Sequence, residues 1–132
     1  MYETILVEKK ERVATITLNR PDKMNSITPQ LQKEFVQSLK EADADNDVGV
    51  IIVTGAGRAF CAGFDVQTMR DNPEVFAGAN DLLTIIHLNT PIIAAVNGYA
   101  LAQGFQISLA CDMIVASEKA IFGSIGARIG EI

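Results

Sequence analysis

TPIIAAVNGYALAQGFQISLACDMIVAS, residues 90–117, is the stretch on which the fold reading turns. Pro91 to Val96 is a short apolar run of the kind that fills a strand buried on both faces, and it stops at the turn pair Asn97 and Gly98. Gln103 to Ala110 then reads as a helix, and Met113 to Ala116 as a further strand. Strand, turn, helix and strand in this order predict an α/β architecture.

Upstream, Gly49 to Thr54 (GVIIVT) repeats the buried-strand pattern and reads as a central strand. It is followed by GAGRAFCAGFD, Gly55 to Asp65, whose glycines and small residues suit a backbone that turns tightly and comes close to something. A helix is expected over Asp81 to Leu88. Before these elements, Thr28 and Pro29 start a helix whose apolar stripe is Leu31, Phe35, Val36, Leu39 and Ala42, and which should end near Asp43 to Asp47. NRPDKMNS, Asn19 to Ser26, is turn chemistry with Lys23 projecting from it, and Ile5 to Lys9 with Val13 to Leu18 read as an antiparallel hairpin. The element order is ββα, βα, βα and β, in one domain spanning residues 1–132 and without internal sequence repeats.

Composition excludes several classes. The formal net charge of −5 and the lack of clustered Lys and Arg argue against a nucleic-acid surface. No apolar run reaches the ~20 residues a membrane helix needs, and the start lacks the order of a secretory signal, so a cytoplasmic location is expected. Cys61 and Cys111 have neither disulfide-framework nor zinc-site spacing, and no metal or permanently bound cofactor is expected.

Two segments combine a buried strand, small residues and a helix start: GRAFCAGFDV (Gly57 to Val66) and AAVNGYALAQGFQISLACD (Ala94 to Asp112). Backbone N–H groups at such turns, aided by the helix dipole, form an anion site. If the two turns face each other, one amide from each holds a single oxygen as it gains charge. VIIVTGAG also resembles a dinucleotide-binding turn, but the third glycine position holds Phe60 and that motif is incomplete. Asp65 reads as a helix cap, Asp112 as a backbone tie, His87 as a packed or surface residue, and Arg20 and Arg58 as solvated, with Arg58 a candidate for a phosphate.

NRPDKMNS, RAFCAGFDV, the 90–117 stretch and the AIFG that follows it resemble, in order and spacing, the signature segments of the crotonase superfamily, the enoyl-CoA hydratase/isomerase family. The resemblance covers nearly the whole chain and implies a crotonase-like spiral of ββα turns, truncated before the C-terminal helical region. It implies an acyl-CoA thioester as ligand, with coenzyme A entering as part of the substrate. The thioester oxygen would be held by the backbone N–H groups of Phe64 and Gln103. CoA would lie along Lys23, Met24, Ala62, Gly63, Phe64, Asp65, Val66 and Gln103, and the full-length form would be a homo-oligomer, trimer or hexamer, in fatty acid metabolism.

The chain departs from the family pattern where hydratases use two glutamates, for it has Gln106 and Gly126. An amide has no proton equilibrium near neutral pH, so Gln106 is a catalytic candidate by position only. AQG, residues 102–104, also stands where a run of glycines is usual. The expected function is a hydratase/isomerase-family protein that stabilises an enolate. The alternatives are a catalytically impaired acyl-CoA-binding homologue, or a fragment that needs a C-terminal half.

Overall fold

The computed structural model describes residues 1–76 and 81–124. Strands β1 (Ile5–Lys10) and β2 (Val13–Leu18) form the expected antiparallel hairpin. Both residues of its turn, Glu11 and Arg12, have positive φ (51° and 67°), the sign a two-residue type I′ connection requires. Helix α1 (Pro29–Ala44) begins where Thr28 accepts a hydrogen bond from the Leu31 N–H, with Pro29 in the first turn. Its predicted stripe is buried: Leu31, Phe35 and Leu39 have 1% exposure or less and pack with Ile16, Leu18, Ile51 and Val53 of the sheet.

β3 (Val50–Gly55), β5 (Ile92–Val96) and β7 (Met113–Ala116) run parallel to one another and complete a five-stranded sheet in the order β1-β2-β3-β5-β7. β3 is therefore central, as its β-branched run predicts. Helix α2 (Val66–Asp71) follows the glycine-rich turn, and helix α3 (Gln103–Ala110) and β7 have the bounds read from the sequence.

A second sheet escapes the sequence reading. β4 (Ala59–Cys61), β6 (Tyr99–Leu101) and β8 (Ile121–Gly123), three residues each, pair in parallel as β4-β6-β8. Three residues hold less than two periods of alternation, so no pattern announces them. They complete a repeating unit: β3, β4 and α2, then β5, β6 and α3, then β7 and β8, each unit giving one strand to either sheet. The result is the ββα spiral, present in topology though absent as a sequence repeat. The helix expected over Asp81 to Leu88 is a 3-10 helix, Asp81–His87. Thr84, Ile85 and Ile86 are β-branched and favour an α-helix little, and Ile85 is the residue this segment buries.

Candidate functional site

Three loops meet at one end of the sheets, and their own backbones fasten them. Ala62 N–H donates to Met24 C=O at 3.0 Å, Ile27 N–H to Gly63 C=O at 2.8 Å, and Asp65 N–H to Ile27 C=O at 2.9 Å. The Asn19 to Ser26 turn is thus laced to the Ala62 to Val66 turn. Two buried-side asparagines do the rest. Asn25, fully buried, accepts from Arg20 N–H at 2.8 Å and donates to the carbonyls of Ala56 and Ala59 at 3.0 and 2.9 Å. Asn97 reaches the same strip from the other side, accepting from Gly55 N–H at 3.1 Å and donating to Gly57 and Ala59 carbonyls at 3.0 and 3.1 Å. The sequence singles out neither as a site residue, although both stand in turn segments where an asparagine side chain bonds backbone readily.

The turn leading into α3 closes against this assembly. A Cβ on Gly104 would lie 2.0 Å from the Cys61 carbonyl oxygen, so only glycine permits α3 to start this close to β4. Gly63, at φ +99°, would with a Cβ meet Ala102 Cβ and Gln103 Oε1, each at 2.9 Å. The two turns therefore do face each other. Phe64 N–H donates to Gln103 Oε1 at 3.0 Å across the gap. Ala102 precedes α3 at φ 50° and ψ −119°, a conformation that costs a residue with a Cβ about 1–3 kcal/mol.

Beside this junction a groove of about 390 Å³ is lined by Asp22, Lys23, Met24, Ser26, Arg58, Ala62, Phe64, Asp65, Val66 and Gln67. It gathers most of the residues expected along CoA. Among the described residues, Gly63, Gln103 and Gln106 are not in its lining: Gly63 and Gln103 are buried at the junction, and Gln106 is exposed one turn along α3. Gly126, with Arg128 and Glu131, lies outside the described residues. A larger groove, about 590 Å³, runs along α1 and past Val75 and Phe76, but holds neither turn. The smaller one is the candidate site, because its lining includes Phe64, whose N–H donates to the Gln103 side chain of the facing turn. Phe76 links the two, its ring stacked on Phe64 with centroids 4.0 Å apart.

Asp65 caps α2, accepting from Thr68 N–H at 3.0 Å. Burial raises its carboxyl, but bonds from the Thr68 amide and hydroxyl, from Ser26, and the charge of Arg20 hold it below the ordinary carboxylate range. Arg20 is not solvated as expected. It donates to Ser26 at the carbonyl and hydroxyl and stands 3.8 Å from Asp65, because the loop pairing draws both into one partly buried cluster. Arg58 is exposed at the groove, and His87 is exposed away from it. Asp112 ties backbone, accepting from Ile92 N–H at 2.9 Å. Burial pushes the thiols of Cys61 and Cys111 up to about 12, which leaves neither as a thiolate nucleophile at neutral pH.

The family model for enoyl-CoA hydratase/isomerase matches residues 8–132. A Mycobacterium tuberculosis protein named as a probable enoyl-CoA hydratase is 41% identical over 133 residues, which is 98% of this chain and 52% of that protein. A mitochondrial protein of Dictyostelium discoideum with the same naming is 44% identical, over 98% of this chain and 48% of its own length. Among solved structures, an enoyl-CoA hydratase subunit from Geobacillus kaustophilus superposes with TM-score 0.90 at 40% identity, covering 98% of this chain and 52% of that one. An enoyl-CoA hydratase/isomerase from Xanthobacter autotrophicus gives TM-score 0.91 at 35% identity, with the same coverage. The chain spans about half the length of the curated relatives it matches.

Proposed function

The chain belongs to the enoyl-CoA hydratase/isomerase family, and from that premise we propose that it binds an acyl-CoA thioester and stabilises the enolate of its acyl group. Backbone N–H groups of Phe64 and Gln103 hold the thioester oxygen. Lys23 and Arg58 meet the phosphates of CoA, and Met24 and the Ala62 to Val66 turn lie along the rest of the ligand. The observation that carries the reading is the bond from Phe64 N–H to the side-chain carbonyl of Gln103 at 3.0 Å. It supports a junction where an amide from one turn faces a neutral carbonyl oxygen at the other. An oxygen that gains charge there is held more strongly than in the ground state, and such a donor lowers a barrier by roughly 3–4 kcal/mol.

Calorimetric titration of the chain with acetoacetyl-CoA, with free CoA as comparison, tests the proposal. Saturable binding of the thioester is expected, weakened severalfold by Lys23→Ala. A folded chain that binds neither compound overturns it.

A second reading, a homologue that binds without turnover, is favoured by Gln106, whose amide cannot serve as a general base. Incubation with crotonyl-CoA separates the two, since loss of the conjugated enoyl-thioester absorbance would exclude a binding-only protein.

A further inference from the structure

We infer that the side chain of Gln103 is a built-in competitor of the ligand: its Oε1 occupies the Phe64 amide that the thioester oxygen requires, so the carbonyl of the ligand must displace it. The inference rests on the acyl-CoA reading and adds to it a residue that sets how strongly the carbonyl is recognised.

The contact has the marks of an occupied site. Gln103 Oε1 is an amide carbonyl oxygen, the same acceptor type as the carbonyl of a thioester, and it lies 3.0 Å from Phe64 N. The bond joins residues 39 apart in the chain, so it is made by the packing of the two turns and not by local helix geometry. Gln103 is 8% exposed, which gives its side chain a fixed seat. That seat exists because Gly63 has no side chain, since a Cβ there would stand 2.9 Å from Oε1. Gln103 is also the first residue of α3, directly after the strained Ala102, so its backbone and its side chain belong to the same turn.

Two consequences follow. In the ligand-free chain the Phe64 amide is satisfied from within, which removes the drive of an unpaired buried donor to take up a ligand. When a thioester enters, one carbonyl replaces another at Phe64, so that hydrogen bond contributes little net affinity. Recognition shifts towards the CoA portion. A ligand without a carbonyl, such as free CoA, has nothing to gain from removal of the side chain.

The experiment compares the chain with Gln103→Ala and Gln103→Met, the second keeping the bulk and length while removing the amide oxygen. Two readouts are taken: amide exchange of Phe64 by NMR without ligand, and calorimetric affinity for acetoacetyl-CoA and for CoA. Competition predicts faster Phe64 exchange in both variants. It also predicts a rise of roughly five- to tenfold in the ratio of acetoacetyl-CoA to CoA affinity in Gln103→Ala, about the value of one net hydrogen bond. Gln103→Met shows the faster exchange even where its bulk limits the gain in affinity. Unchanged Phe64 exchange in folded variants overturns the contact. An unchanged or lower affinity ratio in Gln103→Ala, with binding retained, overturns the competition and leaves the acyl-CoA reading standing, Gln103 then being a staple between turns. Absence of binding by the parent chain and both variants is the failure of the acyl-CoA reading and takes the competition with it.

Discussion

Replacing Asn25 with alanine should unfasten the candidate site from the first loop. The side chain makes three hydrogen bonds, accepting from Arg20 N–H and donating to the carbonyls of Ala56 and Ala59, from a position with no solvent exposure. At about 1 kcal/mol net for each bond, truncation costs roughly 3 kcal/mol. Ala59 keeps Asn97 as a donor, whereas Arg20 N–H loses its carbonyl-type partner, so the loss falls on the first loop. Asn25 also has φ of 56°, a region asparagine tolerates and alanine enters at a cost of roughly 1–2 kcal/mol. The total for Asn25→Ala is about 4–5 kcal/mol, a large share of the roughly 5–15 kcal/mol a domain possesses. Asn25→Gly loses the bonds without the backbone strain and should be the milder change by about 1 kcal/mol. Urea unfolding followed by circular dichroism measures both, with the slope held common to the three proteins. A loss below about 1 kcal/mol for alanine, or glycine proving no milder than alanine, would refute the reasoning.

Other outcomes follow from the same geometry. Ala102→Gly should stabilise the chain by about 1 kcal/mol, because it releases the φ 50°, ψ −119° strain at a position already committed to that conformation, and a lowered urea midpoint would contradict it. The carboxyl of Asp65 lies below its unfolded value, as do those of Glu34 and Asp43, where hydrogen bonds outweigh burial. The stability these groups contribute is complete above the unfolded carboxylate range and is lost as pH falls through the folded values, so unfolding should set in below about pH 4. Asp65→Asn should therefore cost more at neutral pH than in acid, and a difference from the parent chain that stays constant as pH falls would count against the assignment.

What could be read from the residues divides along physical lines. β3, β5 and α1 announced themselves because burial on one or two faces forces a pattern over five to sixteen residues. The strands of the small sheet contain three residues each, and their pairing is set by tertiary approach, such as that of Gly104 to Cys61. The loop residues expected along CoA were legible only through resemblance, and most of them line one groove. Asn25 and Asn97 were not, because a turn asparagine looks the same whether its partners are two residues away or more than thirty. Arg20 reads as solvated for the same reason: the partners that take it out of solvent, Ser26 and Asp65, come together only when two loops pair.

The Ala102–Gln103 pair shows why a departure from glycine at this junction has two separable effects. Ala102 holds this backbone turn with strain, since the position of the Gln103 peptide depends on φ and ψ and not on the side chain. Gln103 leaves that peptide where the helix start puts it and adds an oxygen of its own, to which the facing Phe64 N–H donates. Backbone donors are indifferent to sequence, so the two-amide hole we propose tolerates alanine and glutamine at these positions. On that proposal these residues alter the occupancy of the Phe64 amide before a ligand arrives, and the occupancy is decided by a side chain which the neighbouring Gly63 has room to seat.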